Sequence, residues 1–108
     1  MTARRTEYEV THDDLRSIMS GEGGNDLEPI VEDGKQVAMR IVGVSPGSTA
    51  ARLGAQNGDT ITAINGVPLT SVPAAYRAAD LAIRQAEIVI EGARDGEPYV
   101  TVLAMKQN

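Results

Sequence analysis

His12, Ser48, Asp59 and the carboxylates Glu28, Glu32 and Asp33 are the side chains whose types and spacing invite chemistry in this chain. His12 is the sole histidine, so a zinc site or a Ser-His-Asp relay would have to be assembled around it. It stands beside Asp13 and Asp14 at the start of a polar helical stretch, where a solvated helix-start residue is the simpler reading. Ser48, in P-G-S-T-A, lacks the flanking glycines of a G-x-S-x-G nucleophile elbow, and a helix-capping role suffices for it. Glu28, Glu32 and Asp33 lack the D-x-[DN]-x-[DN]-G order of a calcium loop and read as a hydrated acidic edge. Asp59 follows Asn57-Gly58, where an aspartate accepts backbone N–H bonds and holds a turn. No nucleotide-binding glycine pattern occurs. The expectation is therefore a protein with no catalytic residue, no cofactor and no bound metal.

Composition narrows the classes further. The 108 residues suffice for one small core, and 42% of them are hydrophobic. Only three are aromatic, all tyrosine, so the core must be built from Val, Ile, Leu, Ala and Met. A formal net charge of −5 argues against nucleic acid or an anionic membrane surface as partner. The absence of cysteine excludes a disulfide framework and thiolate chemistry. No apolar run approaches the roughly 18 residues of a membrane span, and no signal-peptide core follows Met1-Thr2-Ala3-Arg4-Arg5. The chain itself is expected not to insert in a membrane.

The elements that must position any site follow from local pattern. Thr6 to Val10 alternates as a short strand, with Tyr8 and Val10 inward. Thr11 and Asp14 form a capping box for a two-turn helix whose apolar stripe is Leu15, Ile18 and Met19. Ser20 to Asn25 is a glycine-rich loop, and Leu27 to Val31 is extended. Asp33-Gly34 turns the chain into a strand from Gln36 to Val44. Ser48 caps a short helix, Thr49 to Leu53, which Gly54 closes. Thr60 to Ile64 is a strand that ends at Asn65-Gly66, the strongest hairpin signal in the chain. Ser71 caps the main helix, with Pro73 in its first turn, and the helix is expected to run to about Gln85. Ala75, Ala79, Ala82, Ile83 and Ala86 form its expected core stripe. Glu87 to Ala93 and Pro98 to Met105 close the chain as a hairpin through Asp95-Gly96.

One constellation suggests binding. If the strand Val37–Ile41 is a sheet edge, its backbone can pair with an incoming extended segment. Val37, Met39 and Ile41 would floor an apolar groove, and Ala74, Ala78 and Leu81 of the main helix would wall it. Periodicity alone leaves open whether these residues line a groove or fill a core.

The order of elements, punctuated by Pro46-Gly47-Ser48, Leu53-Gly54-Ala55-Gln56-Asn57-Gly58-Asp59, Ile64-Asn65-Gly66 and Arg94-Asp95-Gly96, resembles a PDZ domain from about Asp33 to Met105. Tyr8-Glu9-Val10, Pro29 and Asp33-Gly34-Lys35 add a more particular resemblance, to the periplasmic PDZ domain of type II secretion system protein C. The resemblance implies a ligand loop at Val37-Ala38-Met39, with Ala38 where glycine is usual, and a ligand-selecting position at Ala74 or its neighbour. The site it suggests is thus Val37, Ala38, Met39, Arg40, Ile41, Ala74, Ala78 and Leu81.

The fold expected is α+β: a small, partly open antiparallel barrel or sandwich capped by two helices. A strand–helix extension over residues 1–32 would pack on a PDZ domain over residues 33–108. The resemblance implies a protein-recognition module that binds an exported protein or a secretion component. It also implies a periplasmic location, with the parent protein anchored in the inner membrane. A regulatory PDZ domain of a periplasmic protease and a purely structural module with a self-filled groove are the competing readings. Under the groove reading, Met39→Glu weakens ligand binding with only a slight shift in thermal unfolding.

Overall fold

A computed structural model describes residues 4–19 and 26–106. Among these residues, seven strands and three helices follow one another as β1 (Arg4–Val10), α1 (His12–Met19), β2 (Asp26–Glu32), β3 (Lys35–Val42), α2 (Thr49–Arg52), β4 (Thr60–Ile64), β5 (Val67–Pro68), α3 (Val72–Ala82), β6 (Glu87–Arg94) and β7 (Glu97–Met105). The strands form one open, curved sheet in the order β1-β7-β6-β4-β3-β2, with β5 attached to β4. All pairs are antiparallel except β1 with β7, which makes the sheet mixed rather than antiparallel throughout.

The turns form where the local chemistry demands them. Asp33-Gly34, Asn65-Gly66 and Asp95-Gly96 each place both residues at positive φ, matching the right-handed twist of the strands they join. Thr11 and Asp14 make the reciprocal capping box at α1: Thr11 N–H donates to Asp14 Oδ2, and Asp14 N–H donates to Thr11 Oγ1, both at 3.1 Å. Ser48 and Ser71 accept from Ala51 N–H and Ala74 N–H and so cap α2 and α3. α3 ends at Ala82, three residues short of the expected Gln85, because the next amides close shorter bonds, Arg84 N–H to Leu81 O and Gln85 N–H to Ala82 O.

Two apolar clusters meet at Ile64 and Ile90. One gathers Met39, Ile41, Ile61, Leu69, Ala75 and Ala78 beneath α3. The other gathers Val10, Leu15, Ala82, Ile88 and Leu103, so the first strand and helix share a core with the last hairpin. β2 is hydrogen-bonded to β3 along its length, and an expected boundary at residue 33 falls in the turn between these two strands. The expected glycine-rich loop, Ser20 to Asn25, lies outside the described residues, and the described part of α1 ends just before it.

Candidate functional site

The sheet ends at β2, not at β3. β3 pairs with β2 from Lys35 to Val42 and with β4 at Met39 and Arg40, so it is an interior strand. Its backbone is paired on the β2 side throughout and on both sides at Met39 and Arg40, which corrects the expectation that Val37–Ile41 is the edge strand. Of the ligand loop expected at Val37-Ala38-Met39, Ala38 and Met39 lie opposite Ile30 and Pro29 in the β2–β3 pair, and both are buried.

An open strand edge does border α3, one strand further out. Leu27 and Pro29 of β2 stand across from Ile41 and Met39, which puts all four side chains on one sheet face. Proline is at home there, because an edge strand tolerates a missing N–H better than a central one. Facing them across a hollow of about 490 Å³ are Val72, Ala75, Tyr76 and Ala79 of α3, at the i, i+3, i+4, i+7 spacing of one helix face. Met39, Ile41 and Ile61 form the floor, and each is buried. Leu27, Val72 and Tyr76 remain exposed at the rim, with Tyr76 70% accessible.

The expected site residues thus divide. Met39 and Ile41 belong to the groove as its floor. Arg40 is exposed and alternates away from them, and Val37 is exposed near the strand start. Of the expected helix wall, Ala78 is buried in the core cluster, Ala74 is half-buried, and Leu81 is 50% exposed; none of the three lines the hollow. α3 is rotated relative to the expected phase, and Val72 and Tyr76 were missed. Their signal was present in the sequence: they are the two large apolar side chains in an otherwise alanine-rich first half of the helix.

Gln36 fastens one end of this region by donating from Nε2 to Leu69 O at 3.0 Å, linking the start of β3 to the segment before α3. The lining of the hollow also includes a polar cluster. Asp59 is 2% exposed, and its Oδ1 and Oδ2 accept from Arg94 Nε and Nη2, each at 2.7 Å. Oδ2 also accepts from Gln56 N–H at 3.0 Å, and Arg94 Nη2 donates to Gly54 O at 2.8 Å. The Arg94 guanidinium lies 5.4 Å from the centre of the Tyr99 ring. Its bonds to Asp59 hold Arg94 above its usual pKa. Burial, with the Asp59 charge second, pushes the Tyr99 phenol up to about 12. Both Asp59 oxygens are engaged in holding the Gly54–Asp59 turn to the β6–β7 hairpin, so this carboxylate is built as a clamp.

His12 is exposed on α1, as the sequence suggested. Among the described residues, no three His, Cys, Asp or Glu side chains converge on a metal-sized site. No helix among them is long and apolar enough to cross a membrane. A second hollow lies between His12, Ile83, Arg84, Met105 and Lys106.

An open edge strand facing a helix across an apolar groove is an arrangement for binding another chain. Comparison with known families gives the same answer: residues 40–91 match the family model for the PDZ domain. The fold is that of a PDZ domain. Among solved structures, the chain is similar to the PDZ domain of EpsC from Vibrio cholerae, at 19% identity and a TM-score of 0.61, covering 85% of this chain and 95% of that one. A shorter piece of the same EpsC domain gives 21% identity and a TM-score of 0.59, covering 76% of this chain and 94% of that one. The PDZ domain of the pullulanase C protein of the type II secretion system from Klebsiella pneumoniae, solved in complex with fatty acid, gives 22% identity and a TM-score of 0.58, covering 76% of this chain and 84% of that one. No curated protein matches the chain. PDZ domains are interaction modules, and the groove between β2 and α3 is the surface of this one that suits the role.

Proposed function

We propose that this PDZ domain is a protein-recognition module of the type II secretion machinery. It takes an extended segment, internal or terminal, of an exported protein or a secretion component between β2 and α3. Its setting would be the periplasm, with the parent protein tethered to the inner membrane. The observation that carries the binding role is the free edge of β2 beside an apolar hollow walled by Val72, Ala75, Tyr76 and Ala79. The assignment to secretion is supported by the likeness to the EpsC and pullulanase C domains, the latter named as part of the type II secretion system.

The test is a titration of the isotope-labelled domain with short peptides, each made with a free and an amidated C-terminus, read through backbone amide shifts. Shifts at Asp26–Glu32 and Val72–Ala79 that are equal for both forms support recognition of internal segments. Shifts that require the free carboxylate favour the regulatory domain of a protease instead. No shift with any peptide removes the groove as a binding site for extended segments.

A second reading rests on the extent of the hollow's apolar lining, which includes Ile64, Ile90 and Leu103 besides the groove residues. A largely apolar hollow of this kind also suits a fatty acyl chain, the class of ligand held by the pullulanase C domain. Titration with a medium-chain fatty acid would then move the methyl signals of Ile64 and Leu103 and leave the β2 amides near their free positions.

A further inference from the structure

The groove says that a strand can dock; the charges along its free edge say what that strand should carry. β2 reads D-L-E-P-I-V-E, and its register puts Leu27 and Pro29 on the groove face, across from Ile41 and Met39. Alternation puts Glu28 on the opposite sheet face, across from Arg40. Asp26 and Glu32 mark the two ends of the strand, and Asp33 extends the acidic run into the turn. All four carboxylates are exposed, and among the described residues none of them is in an ion pair. The cations opposite them are Lys35 and Arg40, both on the inner side of the strand, on β3. The outer side of β2, where a new strand would lie, carries these carboxylates, and among the described residues no strand pairs with it.

We infer that the segment seated on β2 alternates apolar residues with lysine or arginine. This inference rests on the groove reading and adds the chemistry of the partner. A strand added to β2 continues the pleat, so every second side chain faces the hollow and packs on Leu27, Pro29 and Tyr76. The side chains between them stand next to Glu28 on the other face, where opposite charges directly across strands stabilise pairing and like charges oppose it. The net charge of −5 adds a field that draws such a segment in and turns an acidic one away. Recognition then runs along the strand and needs no terminal carboxylate.

The experiment uses two peptides, acetylated and amidated, with the same apolar residues at alternate positions. One carries lysine between them and the other glutamate. Each is titrated into the isotope-labelled domain at roughly 0.02 M and 0.5 M salt. The lysine peptide is expected to bind about fivefold to tenfold more tightly at low salt, with the advantage shrinking at high salt. Glu28→Lys with Glu32→Lys should reverse the order of the two peptides. Equal binding of both peptides at low salt, with shifts at β2 and α3, overturns the charge inference and leaves the groove standing. Shifts confined to other surfaces, or no shifts with either peptide, overturn both.

Discussion

Arg94 and Asp59, 35 residues apart, meet through two parallel hydrogen bonds of 2.7 Å each. The pair is asymmetric in its access to water: the Asp59 side chain is 2% exposed and that of Arg94 is 31%. Their bond ties the turn that precedes β4 to the end of β6, which also brings Tyr99 within 3.3 Å of Thr60 O. The groove floor residue Ile61 follows immediately on this junction, so the clamp fixes the base on which the groove is built.

That asymmetry predicts unequal mutational costs. Arg94→Met leaves a carboxylate buried without its cation, a loss of about 3–5 kcal/mol. Asp59→Ala leaves an arginine that can turn partly to water, at about 2–3 kcal/mol including the lost bond to Gln56 N–H. Urea unfolding of the two variants checks the order. A larger loss for Asp59→Ala would mean that the turn, not the ion pair, carries the stability.

Tyr99 predicts a change at alkaline pH. Its phenol is raised to about 12 in the folded protein, against an ordinary value near 10. The folded state therefore holds the proton more tightly than the unfolded chain. The resulting stability is complete below pH 10 and is lost as pH rises through about 12. Tyr99→Phe should flatten that part of the stability curve, measured by denaturant midpoints at stepped pH. An unchanged alkaline slope in the variant would assign the loss to other groups.

Gly92 predicts a packing failure. It stands at the β4–β6 irregularity opposite Ile61, and a Cβ added there would run into the carbonyl oxygen of Thr60. The obstacle is backbone in the middle of a sheet, so it cannot swing aside. Gly92→Ala should cost about 2–4 kcal/mol and disturb the neighbouring floor at Ile61. Thermal unfolding with amide spectra of β4 would show it, and a fully stable variant would contradict the close approach.

What the sequence made legible was local. Asp33-Gly34, Asn65-Gly66 and Asp95-Gly96 announced their turns because positive φ at two successive residues is a demand few side chains meet. Caps at Thr11, Ser48 and Ser71 were readable for a similar reason, since each needs only residues three apart. The edge was not readable, because which strand ends a sheet depends on partners far along the chain. Gln36–Val44 has the stronger apolar alternation, and Leu27–Val31 is interrupted by Pro29, which marks an edge only once a sheet is known to include it. The phase of α3 was hidden by alanine. With Ala74, Ala75, Ala78, Ala79 and Ala82 on several faces, small apolar residues could not say which side was buried. Arg94 and Asp59 each fit a turn motif, and nothing local paired them.

The burial of Met39 changes which substitution can test the groove. At 4% exposure, and within the main core cluster, Met39→Glu would bury a charge and unfold the domain rather than spare it. The slight thermal shift expected from the sequence therefore does not fit this position. Tyr76 is the better probe, since it lines the hollow while 70% accessible. Tyr76→Ala should leave stability within about 0.5 kcal/mol, as for exposed positions generally. If an extended segment packs on that ring, affinity should fall by about fivefold to thirtyfold, the loss of roughly 1–2 kcal/mol typical of an aromatic anchor. Leu81→Ala, on an exposed part of α3 outside the hollow, serves as the contrast and should leave binding unchanged. Isothermal titration of both variants with one bound peptide decides between the faces. A loss at Leu81 with none at Tyr76 would return the site to the helix face first read from the sequence and abandon the one described by β2.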